Sequence, residues 1–165
     1  MADPNIHAPA WDRDMADPPF RSRGMTIARH AGSEELGATL YEIDPGGAIS
    51  PYHVHHGNEE LLIVLSGRPD LRGPEGERTL EPGAVVAFPR GPRGAHRVTN
   101  GGDEPTRLII VSTMRFPEVA EHPDTGTVLA MTGPGEGKSF PGGTDVPFME
   151  TVMWAMQVAS ERPKG

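Results

Sequence analysis

Short apolar runs alternate with glycine- and proline-containing turns through the middle of the chain. Turn signals recur about every ten residues from Met25 to Pro117, as is typical of an all-β sandwich or barrel. The apolar runs, such as 60–65 and 107–113, are shorter than most helices, and several alternate polar and apolar residues. We therefore predict a single all-β domain over residues 24–118, built from many short strands.

The same pattern predicts the strands and the turns between them. The predicted strands are 25–29, 39–43, 48–53, 60–65, 69–72, 78–80, 84–88, 96–100 and 107–113, with turns at 44–47, 66–67, 73–76, 81–83 and 100–103. Closing such strands into a barrel removes exposed edges and leaves a lined cavity.

The two ends of the chain have a different character. Residues 1–23 are polar and proline-rich, and we predict an N-terminal arm with Trp11 and Phe20 as its anchors. Residues 119–165 are predicted to be a C-terminal extension, in which 133–143 is a loop or linker. The methionine-rich stretch 146–158 is expected to pack on the barrel or on a second subunit, so we expect a homodimer.

Composition narrows the possible partners. The formal charge is −8 over 165 residues, which makes a nucleic-acid partner improbable. No apolar run is long enough for a transmembrane helix, and the first residues lack the basic and apolar regions of a secretory signal. The chain has no cysteine, which excludes disulfides and thiolate ligands. We expect a cytoplasmic protein that binds a small molecule and neither membranes nor nucleic acid.

Strong metal ligands are concentrated between positions 53 and 60. A strand repeats every two residues, so His53 and His55 share one face and His56 lies on the other. Either Glu59 or Glu60 could add a carboxylate. On edge strands these histidines could also be ordinary surface residues. Further along the chain, His96 follows a glycine- and proline-rich turn and begins another predicted strand.

These residues fall into two spaced motifs. The first has the pattern G-x5-H-x-H-x4-E-x6-G, and the second has the pattern G-x5-P-x-G-x4-H-x3-N. They are carried by Gly47, His53, His55, Glu60 and Gly67, and by Gly83, Pro89, Gly91, His96 and Asn100. With these residues the chain resembles the cupin superfamily, and in particular its small single-domain members. The second motif departs from the family pattern by two extra residues between Gly91 and His96.

The resemblance implies a fold and a site. The fold would be the double-stranded β-helix, a jelly-roll barrel, and the metal ligands would be His53, His55, Glu60 and His96. Such a ligand set suits one divalent transition metal ion: Fe, Mn, Ni, Co or Zn. His56 and Glu59 would then be bystanders.

Function is the least determined level. The resemblance implies a metal-dependent enzyme acting on a small organic molecule, with a slight preference for a dioxygenase because the ligand set holds a redox-active ion with open positions. The alternatives are a cupin isomerase or epimerase, a lyase, or a cupin that binds a ligand without converting it. Around the site, we expect His122 in solvent, Arg107 in a surface salt bridge, and Asp124 near the mouth of the barrel.

Overall fold

The described part of the chain is almost entirely β-structure. The structure, a computed structural model, describes residues 3–142 together with Met153 and Met156. Two short helices interrupt the strands of this part: α1 (Ile27–His30) and a 3-10 helix (Pro92–Gly94). The strands are β1 (Arg13–Met15), β2 (Ser22–Met25), β3 (Gly37–Ile43), β4 (Val54–His55), β5 (Glu60–Ser66), β6 (Asp70–Gly73), β7 (Gly76–Thr79), β8 (Val85–Phe88), β9 (Arg97–Thr99), β10 (Thr106–Ser112), β11 (Glu118–His122), β12 (Thr127–Gly133) and β13 (Glu136–Phe140).

Antiparallel pairing organises these strands into three sheets. The largest has the order β1-β2-β3-β10-β5-β8, the second β13-β12-β11-β4, and the third β7-β6-β9. An isolated antiparallel bridge between His53 and His96 adds a further link. The all-β jelly-roll fold predicted from the sequence is confirmed.

Strict alternation along the central strands forms the core. In β5, Leu62 and Val64 are buried while Leu61 and Ile63 are half-buried and Leu65 is exposed, as period two requires. Glu60 shares the inward face, opposite Ser112 of β10 and Phe88 of β8. The core cluster is completed by side chains from several strands and turns: Ile43, Leu71, Leu80, Val98 and Leu108. One end of this apolar core is therefore lined by a carboxylate.

The N-terminal residues join the main sheet. β1 pairs with β2, and β2 pairs with β3, although 1–23 was expected to be an arm. The predicted strand 25–29 is only partly correct, because the chain turns into α1 directly after β2. On the outer face, Glu42 is bonded to Arg23 and Arg107, and Trp11 covers both guanidinium groups. This confirms the salt bridge expected for Arg107.

Residues beyond position 117 also form a sheet. β12 and β13 lie within the predicted C-terminal extension, and β11, which begins at the last residue of the predicted barrel, pairs with β4 and β12. The methionine-rich stretch 146–158 lies outside the described residues, apart from the exposed Met153 and Met156. Among the described residues, no helix is long and apolar enough to cross a membrane.

Candidate metal centre

Backbone pairing brings the two histidine motifs together. His53 and His96 exchange two backbone hydrogen bonds, with N···O distances of 3.1 and 2.9 Å. His55 follows on β4, and Glu60 begins β5. Residues more than forty positions apart in the sequence therefore face one another at one end of the barrel.

The predicted ligand atoms lie close together. One ligand atom each from His53, Glu60 and His96 lies within 4.8 Å of the others. Glu60 Oε2 is 3.3 Å from His96 Nε2 and 3.5 Å from His55 Nε2. His55 therefore approaches the cluster beside Glu60, although it lies outside the tight group of three.

Each imidazole is held through its Nδ1 atom. A backbone carbonyl lies 2.9 Å from Nδ1 in two cases: Pro51 for His53 and Gly94 for His96. For His55, the acceptor is Glu118 Oε1, at 3.2 Å. An acceptor at Nδ1 requires the proton there, so this network assigns the tautomer that leaves each Nε2 lone pair free.

His96 is the most constrained of the three. Its side chain is 2% exposed, and its ring stacks on Phe88 with centroids 3.7 Å apart and planes 6° apart. Within the described part of the chain, its buried Nε2 has no hydrogen-bond partner, although the Glu60 carboxylate is close. A proton or a metal ion between these facing lone pairs would satisfy both groups, and an unsatisfied buried polar atom is costly. Imidazole nitrogen with carboxylate oxygen is a donor set that fits a divalent transition metal.

The electrostatics of the cluster favour metal-ready protonation states. Burial lowers the pKa of His53 to about 4, and repulsion from His96 and His55 adds to the effect. Burial raises the pKa of Glu60, but the neighbouring imidazoles of His96 and His55 outweigh it and hold the pKa below 4.5. At neutral pH, His53 is thus neutral and Glu60 is ionised.

The turn before His96 absorbs the two extra residues of the second motif. Gly91 has φ 78° and is followed by the 3-10 helix Pro92–Gly94. At Gly94, a Cβ atom would overlap the carbonyl oxygen of Pro89, so only glycine fits this close approach. The insertion therefore lengthens the turn and leaves the His96 ring at the cluster. Asn100 is 1% exposed and bonds the Ile43 and Glu104 carbonyls, which anchors the other end of the strand.

A cavity opens beside the Glu60 side of the cluster. It has a volume of about 280 Å³, and both His55 and Glu60 line it. Apolar side chains dominate the rest of its wall: Tyr41, Ile110, Met114, Phe116 and Met131. A second cavity of about 450 Å³ lies between β8 and the β6–β7 hairpin and is lined by none of the four predicted ligands. We assign chemistry to the smaller cavity because the candidate ligands border it.

The remaining candidates lie on other surfaces. His56 Nε2 is 3.0 Å from Glu121 Oε1, and both side chains are exposed. Asp124 binds the Arg72 guanidinium at 2.6 and 2.9 Å, and that group stacks over Tyr52. Asp124 thus forms an ion pair with Arg72 of β6. Arg97, which follows His96 and begins β9, is half-buried.

A comparison with known protein families agrees with this geometry. The model of the family described as the cupin domain matches residues 39–112, which include all four predicted ligands. Residues 39–112 therefore form a cupin domain. Both sequence motifs that carry the resemblance, 47–67 and 83–100, lie within the matched residues.

Solved structures and one curated protein are similar to this chain. A putative sugar phosphate isomerase from Acidithiobacillus ferrooxidans matches with TM-score 0.70 and 25% identity, covering 79% of this chain and 82% of that one. A cupin-superfamily sugar phosphate isomerase from Silicibacter pomeroyi matches with TM-score 0.69 and 25% identity, covering 78% and 82%. Auxin-binding protein ABP19b of Prunus persica is 33% identical over 90 residues, which are 47% of this chain and 39% of that relative. The match thus spans about two fifths of the curated relative's length.

Two functional candidates on β11 were missed from the sequence. Glu118 is not among the predicted ligands, yet it is 1% exposed and bonded to His55. His122 was expected in solvent, yet its ring centroid lies 6.3 Å from that of His53, and burial lowers its pKa. Pairing of β11 with β4 puts both side chains on the face of the cluster. The sequence does show the alternation of Glu118, Ala120 and His122, which places them on one face of a strand. It does not show what that face contacts until the partner strand is known.

Proposed function

We propose that this cupin is a divalent-metal-dependent enzyme that converts a small, uncharged organic molecule. In this proposal, His53, His55, Glu60 and His96 bind one Fe, Mn, Ni, Co or Zn ion. The proposal is carried by the unpartnered Nε2 of His96, which is buried and faces the Glu60 carboxylate. When bound, the ion would supply Lewis-acid polarisation of a substrate oxygen.

The protein's own residues would prepare this reaction. The carbonyls of Pro51 and Gly94 hold His53 and His96 in the tautomer that presents Nε2, so no imidazole has to reorganise on binding. The Phe88 ring covers His96 and keeps water from its face. The apolar wall of the cavity would exclude further water and hold the carbon skeleton of the substrate.

The cavity wall favours an uncharged substrate. Among the described residues that line it, none is lysine or arginine, while Glu60 and Glu118 both contribute. A phosphate group would meet carboxylates without a compensating cation. A volume of about 280 Å³ suits a compact molecule with one or two oxygens to offer the ion. We therefore do not transfer the phosphorylated substrate named for the similar isomerases.

We propose a reaction without net oxidation as the first candidate. The similar structures named as isomerases, at 25% identity, favour a reaction without net oxidation. A dioxygenase remains the second candidate, because three histidines and a carboxylate also suit Fe(II) or Mn(II) with open positions for O₂. Ligand binding without conversion is the third, and the cavity beside Glu60 and His55 favours an enzyme over it.

Metal analysis followed by a paired turnover assay tests the proposal. Protein purified without chelator should hold close to one equivalent of a transition metal, or acquire it on reconstitution. The loaded protein is then incubated with uncharged hydroxyketones and aldoses, with and without O₂, and products are followed by NMR. Failure to bind any of the five metals would overturn the site assignment. Consumption of O₂ in step with substrate would favour the dioxygenase.

The assembly and the location of the protein are proposed from the sequence alone. We propose a cytoplasmic homodimer in which 146–158 contributes to the contact between subunits. Light scattering of the full chain and of a version ending at residue 142 tests the contact. An unchanged molecular mass per particle, corrected for the shorter chain, would reject it.

A further inference from the structure

Glu118 is a buried carboxylate with an unusual set of partners. It begins β11, and its side chain is 1% exposed. Among the described residues, His55 is its one ion-pair partner, at 3.2 Å between Oε1 and Nδ1. Burying an ionised carboxylate without an arginine or lysine is costly, so its position calls for another source of compensation.

Asn58 fixes the other half of the carboxylate. Its Nδ2 donates to Glu118 Oε2 at 2.6 Å and to the Arg115 carbonyl at 3.0 Å. Its Oδ1 accepts hydrogen bonds from Thr113 Oγ1 at 2.9 Å and from the Arg115 backbone N–H at 2.6 Å. Because both ends of the amide are committed, Asn58 cannot rotate without losing several bonds. The direction in which Glu118 presents Oε1 is therefore set.

The backbone also makes room for this carboxylate. A Cβ atom on Gly57 would overlap Glu118 Oε2, so the loop after β4 can pass this close only as glycine. Gly57 thus lets Glu118 reach the far side of the His55 ring. Oε1 then lies at Nδ1, while His55 Nε2 lies on the Glu60 side of the ring.

We propose that Glu118 is a positioning residue for the metal centre: it holds His55 as the Nδ1–H tautomer with Nε2 directed at the ion, and supplies a second buried negative charge. The proposal rests on the ligand set put forward above. Glu60 and Glu118 together carry a charge of −2, which a divalent ion would balance. A carboxylate bonded to a ligating histidine also raises the basicity of that ligand. The cost of burying Glu118 would thus be recovered when the ion binds.

A double-mutant cycle tests the role, with Co(II) as the probe. The isosteric Glu118→Gln removes the charge and brings an N–H₂ group against either the His55 Nδ1–H or the Asn58 amide. We expect it to weaken Co(II) binding about 10- to 100-fold, measured by chelator competition, and to shift the Co(II) absorption bands. Glu121→Gln is the matched control on the same strand, and we expect a change of less than about twofold, since Glu121 is exposed and bonded to His56.

The second arm of the cycle separates positioning from general structure. In a His55→Ala background, Glu118→Gln should weaken Co(II) binding clearly less than it does in the wild type, because the ring that Glu118 positions is absent and only the effect of its charge remains. An equal loss in both backgrounds would show a structural role and overturn the proposal. Unchanged binding and spectrum in Glu118→Gln alone would overturn it as well.

A measurement on the unmodified protein covers the case in which Glu118→Gln does not fold. Two-dimensional ¹H–¹⁵N NMR of the imidazole rings should show His55 as the Nδ1–H tautomer, with slow exchange of that proton. A His55 ring protonated at Nε2 would refute the positioning role. Absence of any Co(II) binding by the wild-type protein would instead refute the proposed function, and the positioning role with it.

Discussion

Two glutamates on opposite faces of the six-stranded sheet have opposite surroundings. Glu42 lies on the outer face, with a side chain 6% exposed, and is bonded to Arg23 and Arg107. Glu60 lies on the inner face, with a side chain 13% exposed, and meets only imidazoles among the described residues. Both carboxylates are removed from water, but only Glu42 has a permanent cation beside it.

The difference separates a structural ion pair from a binding site. Two arginines saturate Glu42, and Trp11 covers them, so nothing more is needed there. At Glu60, the imidazoles are pinned through Nδ1 and offer lone pairs, which a carboxylate cannot satisfy. A carboxylate among neutral histidines is an incomplete arrangement. Adding a divalent cation would complete it.

The largest expected effect comes from removing the carboxylate of the incomplete site. Glu60→Gln should weaken metal binding by more than about 100-fold, because loss of a direct ligand costs more than loss of an outer partner. Metal content after reconstitution and dialysis measures this. The unfolding midpoint in chelator should change little. A variant that still retains a full equivalent of metal would place the ion elsewhere.

The two regions should also differ in their response to acid. Burial and its neighbours hold the pKa of His53 at about 4, against 6.5 for an exposed imidazole. Between pH 6.5 and 4, the unfolded chain therefore binds the extra proton, and the folded state loses stability as pH falls. Metal-free protein should be about 2 kcal/mol less stable at pH 5 than at pH 7. Urea unfolding at both pH values measures the difference.

The control for the acid effect is His53→Gln. In this variant, the free energy of unfolding should change less between pH 7 and pH 5 than in the wild type. Glu42→Gln should lower stability equally at both pH values, because arginine does not titrate in this range. A pH dependence that survives in His53→Gln would assign it to other groups.

Removing the carboxylate of Glu42 should lower the stability of the fold without changing its affinity for metal. Glu42→Gln leaves Arg23 and Arg107 without their anion, and we expect a loss of about 1–2 kcal/mol in the free energy of unfolding. Both guanidinium groups are more than a third exposed, so solvent reduces the penalty seen for fully buried pairs. Urea unfolding in chelator gives the loss, and metal affinity should remain that of the wild type. A matching fall in affinity would show that the two faces are coupled.

The smallest effect is expected from changing Trp11, whose ring lies over the two arginines bound to Glu42. Trp11 lies 5.4 Å from the Arg23 guanidinium and 6.0 Å from that of Arg107. Trp11→Leu keeps the apolar bulk but removes the cation–π contribution, and should cost about 0.5–1 kcal/mol. Thermal unfolding in chelator measures it. A larger loss would mean that Trp11 is an anchor of the N-terminal strands in its own right.

Much of the inner face could be predicted from the sequence. Alternation in β5 placed Glu60, Leu62 and Val64 inward, because one face of a strand must be buried and the register is then fixed. The two histidine motifs could be predicted as neighbours through their resemblance to a family. The two extra residues before His96 are harmless for a local reason, since the 3-10 turn absorbs them.

The parts that could not be predicted depend on distant pairing. Glu118 and His122 reach the cluster because β11 pairs with β4, a strand more than sixty residues earlier. β4 has only two residues, too few for a pattern to reveal. At the other end, β1 and β2 lie in a proline-rich stretch whose composition suggests an arm. The pairing of β1 with β2, and of β2 with β3, depends on tertiary contacts that composition does not predict.

The pairing of β4 with β11 also determines how short a fragment of this protein can be and still hold the proposed ligands in place. The cupin match ends at residue 112, ahead of β11. A fragment cut there would keep every proposed ligand yet leave Val54 and His55 without a neighbouring strand. It would also lack the carboxylate that holds the His55 ring. A shortened or chimeric version of this barrel must therefore retain the segment Glu118–His122 together with the histidines that it contacts.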